Sequence, residues 1–539
     1  MSRQNFIVFF ILTAIGFFAY KDCLNIFIPG DNYSQLLLFE KGFINGFAEN
    51  PQSASPYFVG FPLLYFLYKL FGMSSTCWII TSTLLHVTNS FVIFLITRKL
   101  MIQFFHKHET AIAFLSALIF LLSPYQTEDV LWITGSIRWL FHTLVTLSGF
   151  YLFILYLSAP SFKKLICIHL LFLLGIFSYE FTIICPLIYI TLYYLFKITN
   201  KTFVSTKQFL IRILSVQFLF VAMYFIVCKI WSGHWFWHGG TVGDITQTTD
   251  YIKTFLKYLA KFFLLYRYIP LAHADDLIRT VFGSLYARIL LLALISAVSI
   301  YLIKRIIKGN KETGYFLLAM FACFMISLLP VLPLDSSFLK YIYPDRYGYH
   351  ASAFFYIFFV ASVFLILKKL ALPLLAGYCI LCWLLLMQTI SVWNDTNDYC
   401  NKLVKNYKPF LQYDHVFVLN APSYYKGVAA FRSAFSETIY MRYNKSPVEK
   451  IHAVSGVYQE SWTDTLTSVK KYENTIKVIG PKKNTPHFCV GGWAKSYETK
   501  DYTVDFDSTG CSYQLTFKQG IPSNSAFIYT SNGTWKKAE

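Results

Sequence analysis

Apolar residues run almost without interruption through the first 395 positions, and the stretches Phe6 to Tyr20, Trp78 to Ile96, Leu290 to Ile303 and Phe354 to Leu367 are nearly free of charge. An apolar run of about 20 residues is the length of helix that spans a bilayer. By that criterion the pattern predicts about eleven transmembrane helices. They centre near residues 6–27, 76–97, 110–124, 138–158, 163–178, 181–197, 210–231, 286–303, 313–331, 349–367 and 373–391. Two of them are short and abut at Ser178-Tyr179-Glu180, as broken or re-entrant helices do. Residues 56–72, from Pro56 through an aromatic run to Gly72, read as a helix lying in the interface rather than crossing it.

After Trp393-Asn394-Asp395 the period changes to short alternating runs such as His415-Val416-Phe417-Val418-Leu419. The run Tyr502 to Phe506, the turn Asp507-Ser508-Thr509-Gly510 and the run Tyr513 to Phe517 predict a β-hairpin. The expected fold is therefore an all-α polytopic membrane domain over residues 1–395, followed by a soluble β-rich or α+β domain over residues 396–539.

Composition agrees: 56% of the 539 residues are hydrophobic, 19% aromatic and 14% charged. The net charge of +19 raises nucleic-acid binding as a reading. Short cytoplasmic loops collect Lys and Arg for topological reasons, which accounts for the excess without a nucleic-acid partner. Arg98, Lys99, Lys107, Lys163, Lys164, Lys197, Lys201, Lys304, Arg305, Lys368 and Lys369 fall in one set of loops, and the opposite set holds chiefly Arg138, Lys340 and Arg346. This asymmetry orients the N-terminus to the cytoplasm and the second set of loops outside, and alternation through eleven spans places the C-terminal domain outside as well. No small-x-small cleavage site follows the first apolar segment, so it reads as a retained signal anchor.

Eight of the eleven cysteines lie in or beside apolar segments and act as small hydrophobes. Cys379 and Cys382 have CxxC spacing inside a predicted membrane helix, where packing is the plainer role. A Cys489–Cys511 disulfide is open to the chain if its tail lies outside the cytoplasm.

Four loops carry acids at helix ends. Asp31, in Gly30-Asp31-Asn32, could take a proton from a substrate hydroxyl or simply cap the following turn. Glu128 and Asp129 lie in an aromatic-flanked loop followed by Trp132, Gly135 and Arg138. Solvated interfacial decoration is the plain alternative there, and Arg138 at a helix start could hold a phosphate bidentately. Glu180 is either a functional acid near membrane depth or part of an outer turn. Asp345 and Arg346 either pair on the surface, or Arg346 meets a lipid phosphate. The loop 232–285 adds Ala274-Asp275-Asp276.

The acid after helix one, the segment Ser123 to Ile133 with Gly135 and Arg138, Ser178-Tyr179-Glu180 and Asp345-Arg346-Tyr347 together resemble the GT-C membrane glycosyltransferases that use polyprenyl-phosphate sugars. The likeness covers residues 1–395 and is greatest to the bacterial branch with protein O-mannosyltransferases and aminoarabinose transferases. Asn32 stands where several relatives have a second acid, and Tyr179 replaces the family's Lys.

The resemblance implies a polyprenyl-phosphate sugar donor, with Asp31 as base on an acceptor hydroxyl and inversion at the anomeric carbon. It implies that Arg346, with Arg138, stabilises the leaving phosphate, with Glu180 and Asp345 in the same donor region. Glu128 or Asp129 would orient the acceptor or hold a divalent cation. The acceptor would be a glycan, a lipid-linked glycan or a protein of the cell envelope. The lack of an evident sorting signal fits a bacterial inner membrane. A lipid-oligosaccharide flippase or other transporter would place charges at the bilayer midplane and show repeated halves. An O-antigen-type polymerase has less reason to place an acid directly after helix one, and a scaffold would work through its tail alone.

Overall fold

A computed structural model describes residues 3–26, 30–43, 57–105, 108–235, 248–268, 284–309, 311–332, 342, 345–432, 434–443, 448–459, 468–480, 487–489, 492–493, 496–508 and 510–538. The helices in chain order are α1 (Arg3–Tyr20), α2 (Asn32–Glu40), α3 (Gly60–Phe71), α4 (Ser75–Phe104), α5 (Glu109–Leu122), α6 (Thr127–Leu131), α7 (Ile133–Ser158) and α8 (Phe162–Ile176). They continue as α9 (Cys185–Ile198), α10 (Thr206–Trp231), α11 (Thr248–Leu264), α12 (Leu285–Gly309), α13 (Lys311–Leu328), α14 (Tyr349–Leu367), α15 (Ala371–Asn406) and α16 (Phe435–Tyr443).

Each of the eleven predicted segments is helical, but the expected count of eleven spans is not reproduced. Among the described residues, seven helical segments are long and apolar enough to cross a membrane, or eight if the bent pair α5–α6 is one span. One difference has a physical reason. Helix α8 has 15 residues, and about 22 Å of helix falls short of a roughly 30 Å hydrocarbon core. The last two predicted spans, α14 and α15, are separate helices of 19 and 36 residues that meet where Lys368 takes a φ of 46°, and each is long enough to cross.

Helix α4 is the centre of the bundle and packs on α1, α5 and α7. The crossing with α1 is close because Gly16 lies against Val87: a Cβ there would sit 2.5 Å from Val87 Cγ2. Small residues at such crossings allow the dense packing on which helix association in lipid depends. The predicted interface segment forms α3, whose 12 residues are too short to span; Pro56 lies outside the described residues. Ala274-Asp275-Asp276 also lies outside them.

Helix α15 runs 36 residues, about 54 Å, and passes Asp395 without a break. Its last turns pack on the C-terminal domain: Trp535 Nε1 donates to Leu403 O at 2.8 Å, and Tyr443 OH to Val404 O at 2.7 Å. The strands of that domain are β1 (His415–Val418), β2 (Ala421–Tyr425), β3 (Val428–Ala429), β4 (Ile451–Ala453), β5 (Gly456–Gln459), β6 (Ser468–Lys471) and β7 (Thr475–Ile479). They are followed by β8 (His487–Cys489), β9 (Gly492–Trp493), β10 (Tyr497–Glu498), β11 (Tyr502–Phe506), β12 (Ser512–Phe517), β13 (Ser525–Ser531) and β14 (Thr534–Lys537).

They form three sheets, ordered β14-β13-β1-β4, β10-β11-β12-β7-β6 and β3-β2-β5-β8-β9. Strand β1 is parallel to both β13 and β4, and α16 lies between β3 and β4 in the chain, so the domain is α+β. The predicted hairpin is present as β11–β12, from Tyr502 opposite Phe517 to Phe506 opposite Tyr513. The Cys489 side chain lies outside the described residues, and with it the proposed disulfide.

Candidate active site

Pro124 shapes the centre of the site. A proline has no N–H to continue a helix and forces the preceding residue out of helical geometry, and Ser123 is indeed extended at φ −61°, ψ 126°. The chain therefore bends by 57° between Glu109–Leu122 and Pro124–Leu131. The bend is held to α14 by Tyr356 OH donating to Ser123 Oγ at 2.7 Å and Gln126 Nε2 donating to Ser352 Oγ at 2.8 Å. The short helix α6 after it presents Glu128 and Asp129 to the turn that opens α14.

Glu128 is buried, and both its oxygens are engaged by one residue. Oε2 accepts from the Arg346 backbone N at 2.9 Å, while Oε1 accepts from the Arg346 guanidinium. The same guanidinium donates to Tyr347 OH at 2.8 Å and lies 4.2 Å from the centre of the Trp132 indole. Asp345 does not pair with Arg346. It accepts from Arg267 at 2.6 and 2.8 Å and from Lys261 at 2.6 Å. Burial pushes the Lys261 ammonium down from its ordinary range; Asp345 opposes that shift and Arg267 adds to it.

Asp129 is 1% exposed, and neither of its carboxylate oxygens has a hydrogen-bond partner among the described residues. Three cations, Lys261, Arg267 and Arg346, thus pair with or lie near three buried acids, Glu128, Asp129 and Asp345.

Asp31 stands at the rim of this cluster, 36% exposed. It occupies the N-cap position of α2 but makes no side-chain cap hydrogen bond. Its Oδ2 lies 2.7 Å from Arg432 NH1, a residue of the C-terminal domain, and the Arg432 guanidinium is 5.4 Å from the same Trp132 indole. Asn32 accepts from the Thr134 backbone N at 2.9 Å, which ties the Asp31 loop to the start of α7.

Arg138 and Glu180 sit in a neighbouring aromatic cluster. The Arg138 guanidinium lies 5.2 Å over Tyr57, Tyr57 stacks on Tyr179 at 5.4 Å, and Tyr179 lies 4.3 Å from Trp139. Trp139 in turn is 6.1 Å from Tyr347, which links the two clusters. Glu180 opens the turn Glu180–Ile184 after an extended Tyr179, as the predicted helix junction requires.

The structure therefore brings Glu128 and Arg346 into contact, sets Asp129 and Asp345 near them, links Asp31 to them through Arg432 and Trp132, and places Arg138 and Glu180 in a neighbouring aromatic cluster. It also adds Lys261, Arg267 and Arg432, which the sequence pattern did not single out. Lys261 had a local signal, since Lys253, Lys257 and Lys261 recur every four residues on one helix face. Arg432 had none.

The donor set does not fit a divalent cation. Glu128 is taken by Arg346, Asp345 by Lys261 and Arg267, and Asp31 by Arg432, whereas such cations need several oxygen ligands. Among the described residues, no group of three or more His, Cys, Asp or Glu side chains is placed to hold a metal ion.

No family model matches the chain, and no curated protein matches it. Among solved structures, the chain is similar to the Archaeoglobus fulgidus oligosaccharyltransferase in complex with Zn and sulfate, at 11% identity and a TM-score of 0.40, covering 82% of this chain and 62% of that one. It is similar to the apo form of that protein at 12% identity and a TM-score of 0.40, covering 83% and 65%. For the Archaeoglobus fulgidus oligosaccharyltransferase AglB in complex with an inhibitory peptide and a dolichol-phosphate, the values are 12%, 0.39, 83% and 64%. The chain spans just under two thirds of the length of each of these structures.

Proposed function

We propose that this chain is a membrane glycosyltransferase of the GT-C type, which moves a sugar from a polyprenyl-phosphate donor to a hydroxyl of a cell-envelope acceptor. The observation that carries this reading is the arrangement around Trp132: an accessible acid, Asp31, at the rim of a buried cluster of cations and acids, beside an aromatic cluster with its own arginine. A rim acid can meet an acceptor hydroxyl, and fixed guanidinium groups can meet a phosphate.

In this reading the acceptor oxygen attacks the anomeric carbon as Asp31 takes its proton. The bond from the anomeric carbon to the phosphate oxygen breaks, and the polyprenyl phosphate leaves with the electron pair. One displacement inverts the configuration. Arg138 and Arg346 hold the leaving phosphate, Glu128 fixes Arg346, and Asp129 orients the acceptor. Glu180 and Asp345 set the charge of the donor region. The domain of residues 1–395 carries the chemistry, and residues 396–539 face the acceptor on the outer side of a bacterial inner membrane.

The test is sugar transfer by the purified full chain from a panel of polyprenyl-phosphate sugars. Asp31→Asn should lower turnover by about 100-fold or more, the usual scale for loss of a general base. A folded Asp31→Asn protein with undiminished turnover refutes the assignment.

A further inference from the structure

We propose that the C-terminal domain supplies a positioning residue to this site: Arg432 holds the Asp31 carboxylate in its working orientation. The inference rests on the reading of Asp31 as the rim acid of a transfer site.

The contact is made twice over. Arg432 NH1 lies 2.7 Å from Asp31 Oδ2, and one residue earlier Gly30 N donates to Ala430 O at 2.5 Å. Backbone and side chain of the Gly30–Asp31 turn are thus both held by the segment that follows β3. Gly30 has a φ of +58°, and a Cβ there would lie 3.3 Å from Arg432 Cδ. The loop can pass against the arginine stem because position 30 has no side chain.

Arg432 itself has a φ of 45°, a left-handed conformation that arginine seldom adopts. The surrounding turn enforces it: Ala430 N donates to Ser423 O at 2.9 Å and Phe431 N to Pro422 O at 3.0 Å. Strained residues kept in place by their surroundings concentrate at functional positions.

The arginine is aimed as well as anchored. Its guanidinium lies 5.4 Å from the Trp132 indole and 6.0 Å from Tyr424. Arg346 contacts the same indole at 4.2 Å. Trp132 therefore joins two arginines, one engaged with Asp31 at the rim and one with Glu128 in the interior. A partly exposed ion pair adds little to stability, so its effect lies in where it holds the carboxylate. Separate contacts dock the domain: Ser34 Oγ donates to Glu437 Oε1 at 3.2 Å, and Arg442 Nε to Tyr33 OH at 3.1 Å.

The experiment compares full-length wild type, Arg432→Gln and Arg432→Lys by two readouts. The first is carbodiimide-driven amide labelling of Asp31, read by mass spectrometry with Asp414 as the reference carboxylate. The second is steady-state transfer with whichever polyprenyl-phosphate sugar the wild type uses. Labelling of Asp31 should rise several-fold in Arg432→Gln and return towards wild type in Arg432→Lys. Turnover should fall roughly 10- to 100-fold in Arg432→Gln at unchanged donor KM, the scale of a small misplacement of a reacting group, with partial rescue by Lys. Unchanged labelling overturns the proposal, and so does wild-type turnover in Arg432→Gln with raised labelling. If the wild type transfers no sugar, the functional reading fails, and labelling alone decides whether Arg432 holds Asp31.

Discussion

The Glu128–Arg346 pair offers the sharpest energetic test of the buried cluster. Both side chains are nearly excluded from solvent, at 3% and 7% exposure. Removing one member of such a pair leaves an uncompensated charge and costs about 3–5 kcal/mol. Glu128→Gln keeps an acceptor for the Arg346 backbone N, so its cost belongs near 3 kcal/mol. Arg346→Gln also gives up the contacts with Trp132 at 4.2 Å and Tyr347 at 4.4 Å. Each such contact contributes on the order of 0.5–1 kcal/mol, which places that variant near 5 kcal/mol.

Independent effects would sum to about 8 kcal/mol, but the double variant leaves neither charge unmatched. It should be no worse than Arg346→Gln alone, near 5 kcal/mol, which corresponds to a coupling of about 3 kcal/mol. Equilibrium unfolding of the four proteins in mixed micelles measures this cycle. Additivity to within about 0.5 kcal/mol would refute the buried pair as the organiser of this site.

Two further outcomes follow from the same charges and from the domain above them. Asp345→Asn leaves Lys261 and Arg267 facing each other without their shared counter-charge and should cost about 3 kcal/mol. Adding Lys261→Met should recover part of the loss in the same unfolding assay. In the C-terminal domain, burial against Phe417 and Tyr502, then the neighbouring His415, push the His452 imidazole down to about 4. Asp501 pulls in the opposite direction. The folded value lies below the unfolded one, so this contribution is fully present above about pH 6.5 and is lost as pH falls towards 4. Partial solvent exposure of the ring reduces the effect to about 1–2 kcal/mol. Hydrogen-exchange protection factors in β1 and β4, corrected for the intrinsic pH dependence of amide exchange, should fall between pH 7 and pH 4.5 in wild type and much less in His452→Phe; equal falls would contradict it.

What could be read from the sequence was local. Apolar runs located the helices, and alternation located the β11–β12 hairpin. The acids at helix ends were visible because a charge is conspicuous in an apolar chain. Their partners were not visible in the same way. Asp345 and Arg346 are adjacent, which suggested that they pair, yet each turns to a partner in another element. Lys261 and Arg267 lie in what read as a long outer loop, where the structure has the helix α11. The Asp31–Arg432 contact crosses some 400 positions between domains, and no local pattern encodes such a pairing. The number of spans was not legible in the same way, because a run of apolar residues does not disclose whether its helix, like the 15-residue α8, is too short to cross.

Helix α15 gives the join between the two domains the character of a keyed shaft. A flexible connector absorbs an inserted or deleted residue by changing its path. A continuous helix cannot: each residue advances the chain by about 1.5 Å and turns it by about 100°. Losing one residue between Trp393 and Asn406 would therefore swing the C-terminal domain about the shaft by more than a quarter turn. Arg432 would leave Asp31, and the docking of α16 on α2 would open with it. The length of this one helix, counted in residues, sets the azimuth at which the two halves of the molecule meet.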